Sequence, residues 1–237
     1  PSRREPHFTR ILADAAPGLF EIVPEIAARA GDSLWAYGGA DTLRAVRARL
    51  PEGVTLKAHG PGFGLAVVDA PHATVEAARA LVRDIVPFEQ RGCLSPRLLL
   101  FRGEAAAARG FARRIAAELV RANEQVPAGR LEPDESAEVA KFRDTFAYTG
   151  VLEAAASGFV AVTEACLEPA PSGRNLLLFP CAELDASLSS VAPNVTAVGV
   201  AGNPELVAAL SRALPRARVG PLGRMQRPPI DGPVDRR

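Results

Sequence analysis

The stretch FEQRGCLSPR, residues 88–97, sets Cys93 between Gly92 and a Leu-Ser-Pro-Arg run, a frame that can present a thiol instead of hiding it. Pro96 disfavours helical geometry in the residue before it, so the backbone here is held away from regular helix and the sulfur can project from a turn. The reactive species is the thiolate. A nucleophilic Cys93 therefore needs backbone amides or cations beside it, and Arg91 and Arg97 are the cations close in sequence. Cysteines outside disulfides are also among the most buried side chains, and on position alone a packed core thiol is the stronger reading. Cys166 and Cys181 lie beside apparent strands, where packing is stronger still.

Other positions allow chemistry more weakly. Gly38-Gly39, at a strand end before a helix, can let a phosphate or a nicotinamide approach the backbone at a helix N-terminus. Most such glycine pairs only let the chain reverse, and no full GxGxxG pattern is present. Gly60-Pro61-Gly62 has the same two readings, the tight turn between strands being the stronger. The only imidazoles are His7, His59 and His72. His59, at a strand end before a glycine turn, is the best placed of them for proton transfer, with a half-exposed structural histidine as the plainer reading. The acidic LEPDES (131–136) reads as a capped helix start.

These residues need elements to hold them. The apolar spacing of Phe8, Ile11, Leu12 and Ala15 predicts a helix closed by Pro17-Gly18, followed by a strand at LFEIV (19–23) and a helix over 24–31. A strand at 33–38, a helix over DTLRAVRARL and strands at 54–59 and 63–69 continue the series. A helix over 72–86 leads into the cysteine loop, and RLLLF (97–101) is a buried strand behind it. Helices over 104–123, from 133 into the 150s and over 204–214 alternate with strands at FVAVTE, NLLLFP and NVTAVGV. The tail from Gly223 should be irregular. Short apolar strands alternating with helices imply an α/β fold with a parallel sheet covered on both faces.

Composition narrows the classes. The chain has 237 residues, 48% of them hydrophobic, which suits a globular protein with a substantial core. A net charge of +1 gives no reason to expect nucleic-acid binding. Three widely spaced cysteines suit neither a disulfide framework nor a CxxC zinc site, so no metal is expected and a reducing cytoplasm is the natural compartment. No apolar run approaches the ~20 residues that cross a bilayer.

EQRGCLSPRLLLF (89–101) resembles the cysteine segment of the aldehyde dehydrogenase superfamily, and most closely that of its acyl-CoA reductase branch, the LuxC-like enzymes, which share a Cys-x-Ser-Pro core. WAYGG (35–39) resembles the strand and small-residue turn beside the nicotinamide, HGPGFGLAVVD (59–69) the glycine turn and strand into the catalytic domain, and GRMQRPP (223–229) the branch's C-terminal signature. Four segments in consistent order reverse the balance on Cys93 in favour of the nucleophile. Two departures matter. The position of the water-activating glutamate of hydrolytic relatives falls on Ala58, and the Glu-x-Phe-Gly-Pro cofactor motif is unmatched at SSVAPNV (189–195).

The resemblance implies an aldehyde-dehydrogenase-like, three-layer α/β architecture. Relatives have a strand ending Lys-Pro-Ser, and this chain opens with Pro1-Ser2, so the resemblance implies that the first part of the nucleotide-binding domain is missing. Residues 1–68 would be the C-terminal part of that domain, 69–220 the catalytic cysteine domain and 221–237 an irregular tail. The implied activity is NADPH- or NADH-dependent reduction of an acyl-CoA or acyl-protein thioester to the aldehyde, through an acyl intermediate on Cys93. Gly38, Gly39 and Gly60 would border the cofactor, His59 would assist proton transfer, and the backbone N–H of Cys93 would face the oxyanion. A homo-oligomer is the expectation from the superfamily. Aldehyde oxidation to the acid is one alternative, which Ala58 argues against. A non-catalytic binding or assembly protein on the same fold is the other.

Overall fold

The computed structural model describes residues 6–19 and 21–229. The chain forms two compact units, residues 1–59 and 60–237.

In the first unit, helix α1 (Pro6–Ala15) precedes strand β1 (Ser33–Tyr37), helix α2 (Ala40–Arg49) and strand β2 (Thr55–His59). β1 and β2 pair in parallel from Ser33 opposite Thr55 to Tyr37 opposite His59, with α2 as the crossover between them. Two expectations fail here. Residues 21–23 form no strand and 24–31 form no helix, while Phe20 lies outside the described residues. A helix this short gains too little from its own hydrogen bonds to overcome nucleation without an apolar face to bury, and Ile22, Val23 and Ile26 are all exposed.

The second unit is built on a seven-stranded sheet. Its strands are β3 (Phe63–Asp69), β4 (Pro96–Arg102), β5 (Val151–Ala155), β6 (Gly158–Val162), β7 (Leu176–Cys181), β8 (Val195–Ala201) and β9 (Arg218–Pro221). Their spatial order is β5-β6-β7-β4-β3-β8-β9, parallel throughout except for the β5–β6 hairpin. The sequence pattern signals neither β5 nor β9, and the helix expected to run into the 150s ends at Thr149.

Interior strand β3 is buried along its whole length, as a strand covered on both faces must be. Its side chains alternate between two apolar clusters. Leu65 and Val67, with Leu98 and Leu100 of β4, pack under helices α5 (Pro133–Thr149), α6 (Leu184–Val191) and α7 (Pro204–Ala213). Ala66 and Val68, with Leu99 and Phe101, pack under α3 (Val75–Ile85) and α4 (Ala105–Gln125). The result is the three-layer helix–sheet–helix arrangement expected from the alternating pattern. Among the described residues no helix is long and apolar enough to cross a membrane.

Candidate active site

Cys93 lies in the connection between α3 and β4, half-buried, with its side chain against the α3–α4 cluster. The connection opens with three consecutive non-glycine residues in left-handed geometry: Phe88, Glu89 and Gln90, at φ 57°, 51° and 58°. Such residues cost about 1–2 kcal/mol each, so three in succession persist only where the surroundings fix them.

Those surroundings come from the loop before β7. Gln90 is buried, and its amide oxygen accepts from the Asn175 N–H at 2.7 Å. Its Nε2 donates to the carbonyls of Asn175 at 2.7 Å and Pro96 at 2.8 Å. The side chain thus satisfies both backbone groups of Asn175 as a neighbouring strand would. Glu89 holds the same loop by charge: Arg174, fully buried, donates Nε and NH2 to its carboxylate at 3.1 and 2.8 Å. The Glu89 carbonyl also accepts from Gly173 N–H at 2.9 Å.

Around the cysteine itself, Thr196 at the start of β8 places its Oγ1 against the Cys93 carbonyl and 3.1 Å from the Phe63 carbonyl. Ser95 is buried, its carbonyl accepts from Gly64 N–H at 2.8 Å, and its Oγ accepts from Gln226 Nε2 at 3.0 Å. The sequence points to Gly92 as the residue that gives this loop room. In fact a Cβ at Gly92 would meet Ser95 Oγ at an ordinary 3.5 Å, whereas one at Gly64 would come within 2.3 Å of the Leu94 carbonyl. Gly64 is the position the loop cannot surrender.

Arg91 and Arg97, the cations nearest Cys93 in sequence, each hold a partner in another segment. Arg91 pairs with Glu135, Nε and NH2 each at 2.8 Å from a carboxylate oxygen, and NH2 also reaches the Arg130 carbonyl at 3.1 Å. The hydrogen bond to Glu135 raises the pKa of the Arg91 guanidinium further. Arg97 donates Nε to the Ala170 carbonyl, and burial lowers its pKa against the attraction of Glu138. Cys181 is a different kind of thiol: burial pushes its pKa up, and its Sγ lies 3.7 Å from the Phe101 carbonyl. Among the described residues no group of three His, Cys, Asp or Glu side chains could hold a metal ion.

GRMQRPP forms a turn docked on α3. Buried Asp84 accepts from Gly223 N–H at 2.6 Å and Met225 N–H at 3.0 Å, and Gln226 Nε2 reaches the Asp84 carbonyl at 3.0 Å. Burial raises the Asp84 carboxyl to about 6, against the lowering effect of the Gly223, Met225 and Gln226 amides. Through Gln226 this turn also contacts Ser95, two residues beyond the cysteine.

Of the residues singled out by sequence, Cys93 and Gly60 fall in the second unit and Gly38, Gly39 and His59 in the first. Within the first unit the structure brings the latter three together. Gly38 N–H donates to the His59 carbonyl at 3.2 Å, and Gly39 is the N-cap of α2. Among the described residues, its chain neighbours aside, no atom lies within 4 Å of where a Gly39 Cβ would sit. His59 is 5% exposed, so the half-exposed reading is wrong. Its ring stacks on Tyr37 and Trp35 at centroid distances of 4.7 and 5.3 Å. Gly60-Pro61-Gly62 links β2 of the first unit to β3 of the second and does not join neighbouring strands of one sheet. Sequence reasoning missed Gln90, Glu89, Arg174, Asn175, Thr196 and Asp84; their only signal is long-range contact.

The fold of these elements is that of aldehyde dehydrogenases. An NADP-dependent glyceraldehyde-3-phosphate dehydrogenase from Bacillus halodurans superposes with TM-score 0.63 at 15% identity, covering 79% of this chain and 43% of that one. A 1-pyrroline-5-carboxylate dehydrogenase from Thermus with bound NAD gives 0.56 at 12% identity, covering 79% and 42%. A variant of proline utilization A from Bradyrhizobium japonicum gives 0.64 at 13% identity, covering 79% and 22%. The chain therefore spans less than half the length of these structures. Within that class the chain belongs to the LuxC acyl-CoA reductase family, whose model, "Acyl-CoA reductase (LuxC)", matches residues 21–235. A comparison with curated protein sequences finds no match.

Proposed function

We propose that this chain carries the cysteine half of an enzyme that reduces an acyl thioester to the aldehyde with a reduced nicotinamide cofactor. The observation that carries the reading is the Cys93 loop. A buried glutamine, a buried ion pair, a threonine hydroxyl and a tightly approached glycine all fix the backbone on either side of one half-buried thiol. A core cysteine needs none of this. The reading is supported by membership of the LuxC family.

The thiolate of Cys93 attacks the thioester carbonyl, forming a carbon–sulfur bond. Collapse of the tetrahedral adduct expels the carrier thiolate and leaves the acyl group on Cys93. The Cys93 N–H is the local donor for the oxyanion, and the hydrogen bonds of Gln90, Thr196 and Ser95 hold it in place. When bound, the nicotinamide supplies the hydride that takes the acyl carbon to the aldehyde level. Gly38 and Gly39 fit a role in holding the cofactor: the space beside Gly39 is open, and α2 begins there. Breaking the bond to sulfur then frees aldehyde and regenerates the Cys93 thiolate. Gly60 is retained as a cofactor-side residue. His59 is proposed as a proton-transfer group, acting from its stacked position against Trp35 and Tyr37. Ala58 offers no carboxylate to activate water, which favours thiol exchange over hydrolysis.

Incubation with a fatty acyl-CoA and no cofactor should produce an acyl adduct by intact mass, absent from Cys93→Ala. A folded protein that forms no adduct, or one that persists in Cys93→Ala, would remove this reading.

A further inference from the structure

The turn built from GRMQRPP has no part in the chemistry just described, yet it is held firmly. Asp84 clasps its amides from below, Arg227 N–H closes it onto the Arg224 carbonyl at 3.0 Å, and Gln226 ties it to Ser95. With Met225 buried in the α3–α4 cluster, the turn exposes the residues on either side of the Met225-Gln226 pair, Arg224 and Arg227. Both line a cavity of about 340 Å³ at the β8–β9 edge of the sheet, together with Arg218. The remaining wall includes Pro221, Met225 and Pro228. Among the described residues the lining contains no carboxylate, and no ion pair engages Arg224 or Arg227.

Two exposed guanidinium groups on a fixed turn suit phosphate, which they can grip with paired N–H donors. Because the turn is already ordered, little freedom is lost on binding. The proline and methionine wall offers an apolar surface to a purine, and the cavity is of a size with small-ligand sites, roughly 300–1,000 Å³. Its place in the second unit bears on which molecule the phosphates belong to. Ala197 and Val198 of the lining directly follow Thr196, whose hydroxyl meets the Cys93 carbonyl, and Gln226 between the two arginines binds Ser95. The cavity thus adjoins the cysteine loop within the second unit.

We propose that Arg224 and Arg227 form a subsite for the phosphates of the adenosine 3′,5′-bisphosphate head of a coenzyme A thioester. This rests on the thioester reading above. It adds that the carrier is recognised by its nucleotide end, at the family's C-terminal motif.

Adenosine 3′,5′-bisphosphate itself is the probe, titrated calorimetrically against the full chain and against Arg224→Ala/Arg227→Ala. The expected result is at least a tenfold loss of affinity in the double variant, together with weakening of parent binding as salt is raised. In the same pair of proteins, 2′,5′-ADP, the phosphorylated end of NADP, should bind within twofold of parent. Kinetically, the preference in the rate of Cys93 acylation for an acyl-CoA over the same acyl group on phosphate-free pantetheine should fall at least tenfold. Circular dichroism checks that the double variant is folded. Equal binding of adenosine 3′,5′-bisphosphate by both proteins overturns the subsite, as does a loss confined to 2′,5′-ADP. Arginine-dependent binding of the probe in a folded protein that forms no acyl adduct on Cys93 from either thioester would sink the reductase reading and leave the subsite standing.

Discussion

Replacing Gln90 by leucine tests the central claim that a side chain, acting as a strand, holds the cysteine loop. Gln90 and Asn175 are 1% and 0% exposed, and three backbone groups depend on the Gln90 amide: Asn175 N–H, Asn175 C=O and Pro96 C=O. Leucine fills the volume and bonds to none of them. Each deserted buried group costs about 1–3 kcal/mol, and since all three share one partner the losses are not additive, giving about 3–5 kcal/mol in total. Gln90→Asn retains the amide but lacks a methylene, so it cannot span Asn175 and Pro96 together and should lose about half as much. Urea unfolding followed by circular dichroism gives the stability, and hydrogen exchange over residues 88–96 and 171–177 locates the loss. The left-handed run at 88–90 should relax once its restraint is gone, so both segments should exchange faster while the β3–β4 ladder stays protected. A Gln90→Leu protein within about 1 kcal/mol of the parent, with unchanged exchange in both segments, would refute the reasoning.

Gly64→Ala should force the Leu94–Ser95 backbone off β3, because its Cβ would lie 2.3 Å from the Leu94 carbonyl. The expected loss is about 1–3 kcal/mol in thermal melting, with slower formation of the Cys93 adduct, whereas Gly92→Ala, in ordinary contact, should change melting little. Asp84 should make stability fall as pH rises. Its folded pKa of about 6 lies above the unfolded value, so between roughly pH 4 and 6 the native state holds a proton that the unfolded chain has released. A raise of about two units corresponds to about 3 kcal/mol lost across that window and none beyond it. Asp84→Asn should flatten this slope while weakening the turn, since an amide oxygen replaces two accepting oxygens; an unaltered slope in chemical denaturation from pH 4 to 7 would contradict the assignment.

The second unit is largely legible in the sequence because its central elements are locally consistent. FGLAVVD, RLLLF and NVTAVGV are predominantly apolar runs bounded by turns, as strands buried on both faces must be, and the helices over 75–85, 105–125 and 204–213 carry clear apolar faces. What fails is short or peripheral. VLEAA, half-exposed at the edge of the sheet, is mixed in composition and becomes a strand by pairing with β6 across Ser157. LFEIV has the composition of a strand, but composition supplies no partner. At the site, the cysteine and its frame are readable, but the residues that shape the loop are not. Glu89 and Gln90 meet partners 85 residues away, and Thr196 meets Cys93 from 103 residues away.

This separation also bears on the arginines, whose part beside the cysteine the sequence leaves open. Arg91 and Arg97 flank the cysteine along the chain, and proximity in sequence suggests that they stabilise its thiolate. In the folded unit the two are drawn to different partners. Arg91 fastens the loop to the start of α5 through Glu135, and Arg97 fastens β4 to the segment before β7 through the Ala170 carbonyl. Both guanidinium groups thus hold the loop and its strand in place. In the proposed mechanism the oxyanion donor is a backbone amide, whose direction is set by loop geometry, since a peptide N–H cannot turn toward its target as a lysine can. On that proposal the chemical requirement falls on Gln90, Gly64 and Thr196, none of which is ionisable. It follows that the Cys-Leu-Ser-Pro frame acts through conformation: Ser95 is buried and bonded at both its carbonyl and its hydroxyl, and Pro96 opens the strand against which Gln90 is braced.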